Sequence, residues 1–223
     1  MRDKVSKLAR AALVAVALAP LGACALADVA SGPAPSLYVL TAPSPDLTAV
    51  ASEGRPLLVE EFSAPAAIDT SRIVFMPSPN EIRYYAGARW ADRAPGMIAA
   101  LLVETLADTG RFPAVVGPGA QARSDLILVG DVRSFAAHRP DGAGLSDATS
   151  VRVALFVRLI AARGREVVAS REFSADAAAA SGGMSDVVGA YDAALGSVLA
   201  DIARWTLEES GKAGLDLGRG AES

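Results

Sequence analysis

The side chains that most often carry chemistry are scarce in this sequence. It has one cysteine, Cys24, and one histidine, His138. A single cysteine permits no intrachain disulfide. One histidine with no second thiolate leaves no common zinc ligand set. His138 lies in Ala137-His138-Arg139-Pro140-Asp141-Gly142, a stretch that reads as a loop, so the plain expectation is a solvated histidine. A nucleophilic serine would need a strand–Gly-x-Ser-x-Gly–helix context, and none occurs. Gly117-Pro118-Gly119 is not followed by a helical pattern at dinucleotide-binding spacing. No Gly-x4-Gly-Lys-Ser/Thr phosphate loop is present, and acidic residues do not cluster at calcium-loop spacing. The pattern points away from an enzyme, from a metal site and from a bound cofactor.

One surface and one modification site remain. Segment Glu81 to Trp90 (EIRYYAGARW) alternates, with Ile82, Tyr84, Ala86, Ala88 and Trp90 on one face and Arg83, Tyr85, Gly87 and Arg89 on the other. Period two with one polar face predicts a half-buried strand. Arg83, Tyr85 and Arg89 are candidate interface residues, since Arg and Tyr suit protein contacts. The plainer alternative is a solvated face of snorkelling side chains. Arg152, Phe156 and Arg158 pose the same choice.

The modification site is Cys24. Arg2, Lys4, Lys7 and Arg10 precede the apolar run Ala11 to Ala19, and Pro20 and Leu21-Gly22-Ala23-Cys24 follow it. A basic start, a short apolar run and small residues at a cut site are the anatomy of a secretory signal over residues 1–23. The run is shorter than the ~20 residues that span a bilayer. The tetrapeptide resembles the lipobox of bacterial lipoproteins, Leu-small-small-Cys. That resemblance implies cleavage before Cys24 and acylation of its sulfur and freed amine, a covalent lipid in place of any cofactor. Ala25, where an Asp would retain such a protein at the inner membrane, implies the periplasmic face of the outer membrane.

Processing changes the charge balance. The full chain of 223 residues carries a net charge of −4. Loss of residues 1–23 removes four basic residues and Asp3, leaving 17 basic against 24 acidic residues, or −7. A chain this acidic is a poor bulk partner for nucleic acid or for anionic lipid headgroups. Aromatic residues are only 5% of the sequence, so the core must come from Val, Leu, Ile and Ala.

Residues 24–36 (CALADVASGPAPS) read as a flexible tether, residues 37–209 as one domain and residues 210–223 as a disordered tail. Strands are predicted at Leu37–Leu40, Pro56–Phe62, Ile73–Met76 and Glu81–Trp90, with a turn over Pro77–Asn80. A helix follows, with Asp92 as its N-cap and Gly110 as terminator. Further strands are Pro113–Val116, Asp125–Phe135, Ser150–Ala162 and Glu166–Ser174, the last ones forming an antiparallel meander. In the last helix, N-capped by Ser185, Val188, Tyr191, Leu195, Val198, Ile202 and Trp205 make one apolar stripe. The expected fold class is α+β: one mixed, largely antiparallel sheet with two amphipathic helices packed mainly on one face.

In order after the lipobox, Leu37-Tyr38-Val39-Leu40, Ile73-Val74-Phe75, Asn80-Glu81-Ile82-Arg83-Tyr84-Tyr85, Trp90-Ala91-Asp92-Arg93 and the Leu126–Gly130 strand resemble the ABC-type transport auxiliary lipoprotein family, which includes the lipoprotein of the paraquat-inducible (Pqi) system. The resemblance covers about residues 37–209. It implies an accessory, non-catalytic role beside an inner-membrane ABC permease, its ATPase and a periplasmic MCE-domain protein, in a system moving lipid between the two membranes. The lipoprotein would dock the MCE component at the outer membrane, and homo-oligomerisation is left open. Two other functions compete: a carrier holding an acyl chain in a cavity lined by the last helix, and a periplasmic enzyme.

Overall fold

The computed structural model describes residues 34–51, 54–139 and 149–219. The expected signal segment 1–23, Cys24, most of the expected tether and the last four residues of the expected tail lie outside them. The chain divides into two compact units, Met1–Ser36 and Leu37–Ser223, and the described residues belong almost wholly to the second.

Among the described residues eight strands make one sheet: β1 (Ser36–Tyr38), β2 (Leu57–Val59), β3 (Arg72–Ser78), β4 (Glu81–Trp90), β5 (Val115–Val116), β6 (Leu126–His138), β7 (Ser150–Ala161) and β8 (Val167–Ala178). Helix α1 spans Ala94–Asp108 and helix α2 spans Met184–Arg219. The long pairings, β3–β4, β6–β7 and β7–β8, are antiparallel, and three short ones, β2–β5, β2–β6 and β3–β6, are parallel. Both helices pack on one face of this mixed sheet, as the sequence predicts for an α+β fold.

β6 organises the sheet. One edge pairs with β7 along its whole length. The other edge forks: β2 takes Leu126 to Leu128, and β3 takes Ala137 and His138. Between them the segment after β2 continues alongside, with Ser63 N donating to Gly130 O and Val132 N donating to Ser63 O. β6 can lie this deep because Leu126, Leu128, Val132 and Phe135 are buried on the helix side, against Val151, Val153, Leu155, Val157 and Leu159 of β7. Opposite that face, β7 carries Arg152, Phe156 and Arg158, as its alternation predicts.

The apolar stripe of α2 closes the core. Tyr191, Leu195, Val198 and Ile202 are fully buried, and Trp205 packs edge-on to Phe173 of β8 at 5.5 Å. Tyr191 sits between Trp90 and Phe135, with ring centroids 5.0 and 4.8 Å away. Its hydroxyl donates to Val74 O at 2.7 Å, which satisfies the one polar atom of a buried ring.

Several boundaries move for physical reasons. The β3–β4 strands close on a two-residue turn, Pro79-Asn80, and β3 runs through Pro77 at a point where the ladder is already irregular. Asp92 is not the N-cap of α1. Arg93 holds that position with no side-chain cap, and the Ala94 amide donates instead to Thr70 O across the fold. Ser185 likewise lies inside the first turn of α2, which starts at Met184. Gly110 does follow the end of α1 with φ +62°, the left-handed conformation a stop requires. α2 runs on past 209 to Arg219, ten residues into the stretch expected to be a tail, with Ser210 fully buried and its hydroxyl accepting from Arg55 N at 3.0 Å.

Candidate functional site

The Arg83, Tyr85, Arg89 set does not share a face. β4 bulges: Tyr84 pairs with Val74 and Arg89 with Arg72, so the four residues 85–88 of β4 lie opposite Ile73 alone on β3. Gly87, at φ +68°, supplies the left-handed residue such a bulge needs. Paired residues share a side of a sheet, and sides alternate along a strand. Arg83, opposite Phe75, therefore lies on one side, and Arg89, opposite Arg72, lies on the other.

The three side chains have different surroundings. Tyr85 is half-buried, its ring 5.5 Å from Phe75. Burial pushes its phenol above the ordinary range, partly offset by a hydrogen bond with Thr149. Arg83 is exposed and pairs with Glu81 at 2.6 Å, beside exposed Ile82 at the hairpin end. Arg89 is exposed. The bulge explains why Ile82, expected inside, is exposed while Ala88 and Trp90 are buried.

His138 is not a loop residue. It ends β6, between Ser150 of β7 and Met76 of β3, and is half-buried with its Nε2 shielded and unpartnered. Burial lowers its pKa, the Arg152 guanidinium lowers it further, and Asp176 opposes them. Arg152 and Asp176 form a two-pronged ion pair at 2.9 Å across β7 and β8. No nucleophile is aligned with the imidazole by any of these contacts.

The face of β6–β8 away from the helices carries a second polar cluster. Asp131 accepts from Arg158 at 3.0 Å and from the Ser63 hydroxyl, and Arg133 approaches it at 3.9 Å. The guanidinium carbons of Arg133 and Arg158 each lie 5.4 Å from the centre of the Phe156 ring. An open hollow of about 330 Å³, lined by Ser63, Ala64, Pro65, Asp131, Val132 and Arg133, sits where the sheet forks. Among the described residues no group of three or more His, Cys, Asp or Glu could hold a metal ion. Among the described residues, Tyr191, Leu195, Val198 and Ile202 of α2, where a carrier would line an acyl cavity, are buried in the core.

The sequence profile of the ABC-type transport auxiliary lipoprotein components matches residues 38–203, from β1 into the sixth turn of α2. The chain belongs to this family. It is therefore a lipoprotein-type auxiliary component related to ABC transport systems. A crystal structure of protein XCC0632 from Xanthomonas campestris is similar, with 29% identity, a TM-score of 0.69, and coverage of 82% of this chain and 97% of that one. A crystal structure of an uncharacterized protein shares the fold, with 20% identity, a TM-score of 0.58, and coverage of 77% and 98%. A search of curated proteins finds no match. No helix among the auxiliary component's described residues is long and apolar enough to cross a membrane.

Proposed function

We propose that this protein is the lipid-anchored accessory component of an MCE/ABC-type system moving lipid between membranes. In this reading Cys24 holds it at the periplasmic face of the outer membrane, and the folded domain docks the MCE-domain protein, which works with the ABC permease and its ATPase. The observation that carries the reading is the family match over residues 38–203, which spans nearly the whole sheet-and-helix domain. The β3–β4 hairpin end is the contact surface in this reading. There Arg83 and exposed Ile82 project beside half-buried Tyr85, and an Arg with an exposed apolar neighbour suits a protein contact.

A photo-crosslinking residue at position 83, in cells, tests this. Recovery of an MCE-domain protein from position 83, and not from position 163 in the β7–β8 turn, is expected. Recovery of unrelated envelope proteins alone would overturn the docking role. The anchor has its own readout. Cys24→Ala should abolish incorporation of labelled palmitate and release the domain from the membrane, and a native chain that takes up no palmitate would remove the anchor.

A further inference from the structure

Among the described residues, two of the four large exposed apolar side chains sit together at the start of the fold. Leu37 is 65% exposed and Val39 is 69% exposed, while Tyr38 between them packs against the core. Alternation sends the two outward together. They are reached only 13 and 15 residues after Cys24.

Beside them is a pair of like charges that the sheet does not need. Arg72 and Arg89 are exposed and directly opposite each other on β3 and β4. Like charges at opposed positions destabilise a sheet. Arg72 eases this by stacking its guanidinium 3.6 Å over the Tyr84 ring. The three strands are laced at this point, with Trp90 N donating to Ser71 O at 2.7 Å and Ala91 N donating to Tyr38 O at 2.8 Å. Leu37, Val39, Arg72 and Arg89 thus each lie within two residues of one lacing. In a mature chain of net charge −7, two cations beside two exposed apolar side chains form a local exception.

We infer that this corner rests on the phospholipid surface that holds the anchor: Leu37 and Val39 enter the interfacial layer and Arg72 and Arg89 bind lipid phosphates. The inference rests on lipidation at Cys24. Acyl chains supply retention, since two or more chains already hold firmly. The corner supplies orientation, and needs little affinity because a tether of some dozen residues keeps the bilayer at high effective concentration. β4 then leads away from the membrane. Its ten residues, at about 3.3 Å each, set the docking hairpin at Ile82 and Arg83 at the far end of the strand.

The test uses the full-length lipidated chain carrying Val39→Trp, in vesicles of phosphatidylethanolamine and phosphatidylglycerol with brominated acyl chains. Subtraction of the same chain without the substitution isolates the added emission from Trp90 and Trp205. The inference expects most of that emission to be quenched, and Arg72→Gln with Arg89→Gln to relieve the quenching and remove its dependence on salt. Emission that stays water-like and unquenched, in protein whose Cys24 is shown by mass to carry lipid, overturns the inference and leaves the anchor standing. Emission shifted to the blue yet unquenched marks burial against protein, a second copy included, and also overturns it. A Cys24 without lipid overturns the anchor and this inference with it.

Discussion

His138 shows what a single burial does to a titratable group. Its ordinary value lies near 6.5, and desolvation, then the nearby Arg152 charge, hold it lower in the folded protein. The unfolded chain therefore binds the proton first as pH falls. Stability is complete above about pH 6.5, declines as pH falls through that value and levels once the folded imidazole also protonates. Asp176, held below its ordinary 3.8 by the hydrogen bond from Arg152, acts in a lower window. The urea midpoint should fall between pH 7.5 and pH 5, and His138→Gln should flatten that fall. An unchanged slope in the variant would assign the dependence elsewhere. Arg152→Gln should raise the His138 titration seen by NMR. Its stability cost should be small, about 0–1 kcal/mol, because the pair is exposed to water.

At the scale of elements, close approach at β6 is the sharpest constraint. A Cβ on Gly130 would lie 2.5–2.7 Å from the Phe62 ring, which is itself buried. Glycine at this position leaves room for the Phe62 ring where the segment after β2 runs alongside β6. Gly130→Ala should cost roughly 1–3 kcal/mol by overpacking, read as a lower urea midpoint. Pairing it with Phe62→Leu should recover part of the loss, and no recovery would place the strain elsewhere. On α2, Leu195→Ala should cost about 2–5 kcal/mol, since a fully buried side chain leaves a cavity. Gly189→Ala, where an added methyl meets nothing within 4 Å, should be neutral or stabilising by up to ~1 kcal/mol.

For the whole molecule, the decisive fact is where the apolar surface goes. Among the described residues, the apolar stripe of α2 packs onto the sheet, and the hollow at the fork is open and lined by Asp131, Arg133 and Ser63 among others. The full-length Cys24→Ala chain purified from cells should therefore carry no acyl lipid in native mass spectrometry. A stoichiometric lipid in that spectrum would restore the carrier function. A docking module needs no such interior, only a stable body between an anchor and a contact surface.

Local pattern determined a good deal of this protein. The bounds of β4, the inward face of β7, the stripe of α2 and the glycine stop after α1 were legible because periodicity and capping are properties of neighbouring residues. The mixed sheet with two helices on one face followed from counting such segments. Tertiary pairing decided the rest. The Gly87 bulge reversed sides within β4 and split Arg83 and Tyr85 from Arg89, which strict alternation could not reveal, although a glycine inside a strand was the available signal. His138 became a strand residue because β7 and β3 offered it partners from twelve and more than sixty residues away in sequence. The fork in β6 and the opposed Arg72 and Arg89 exist only once distant strands are laid side by side, for a ladder's register is set between segments and not within them.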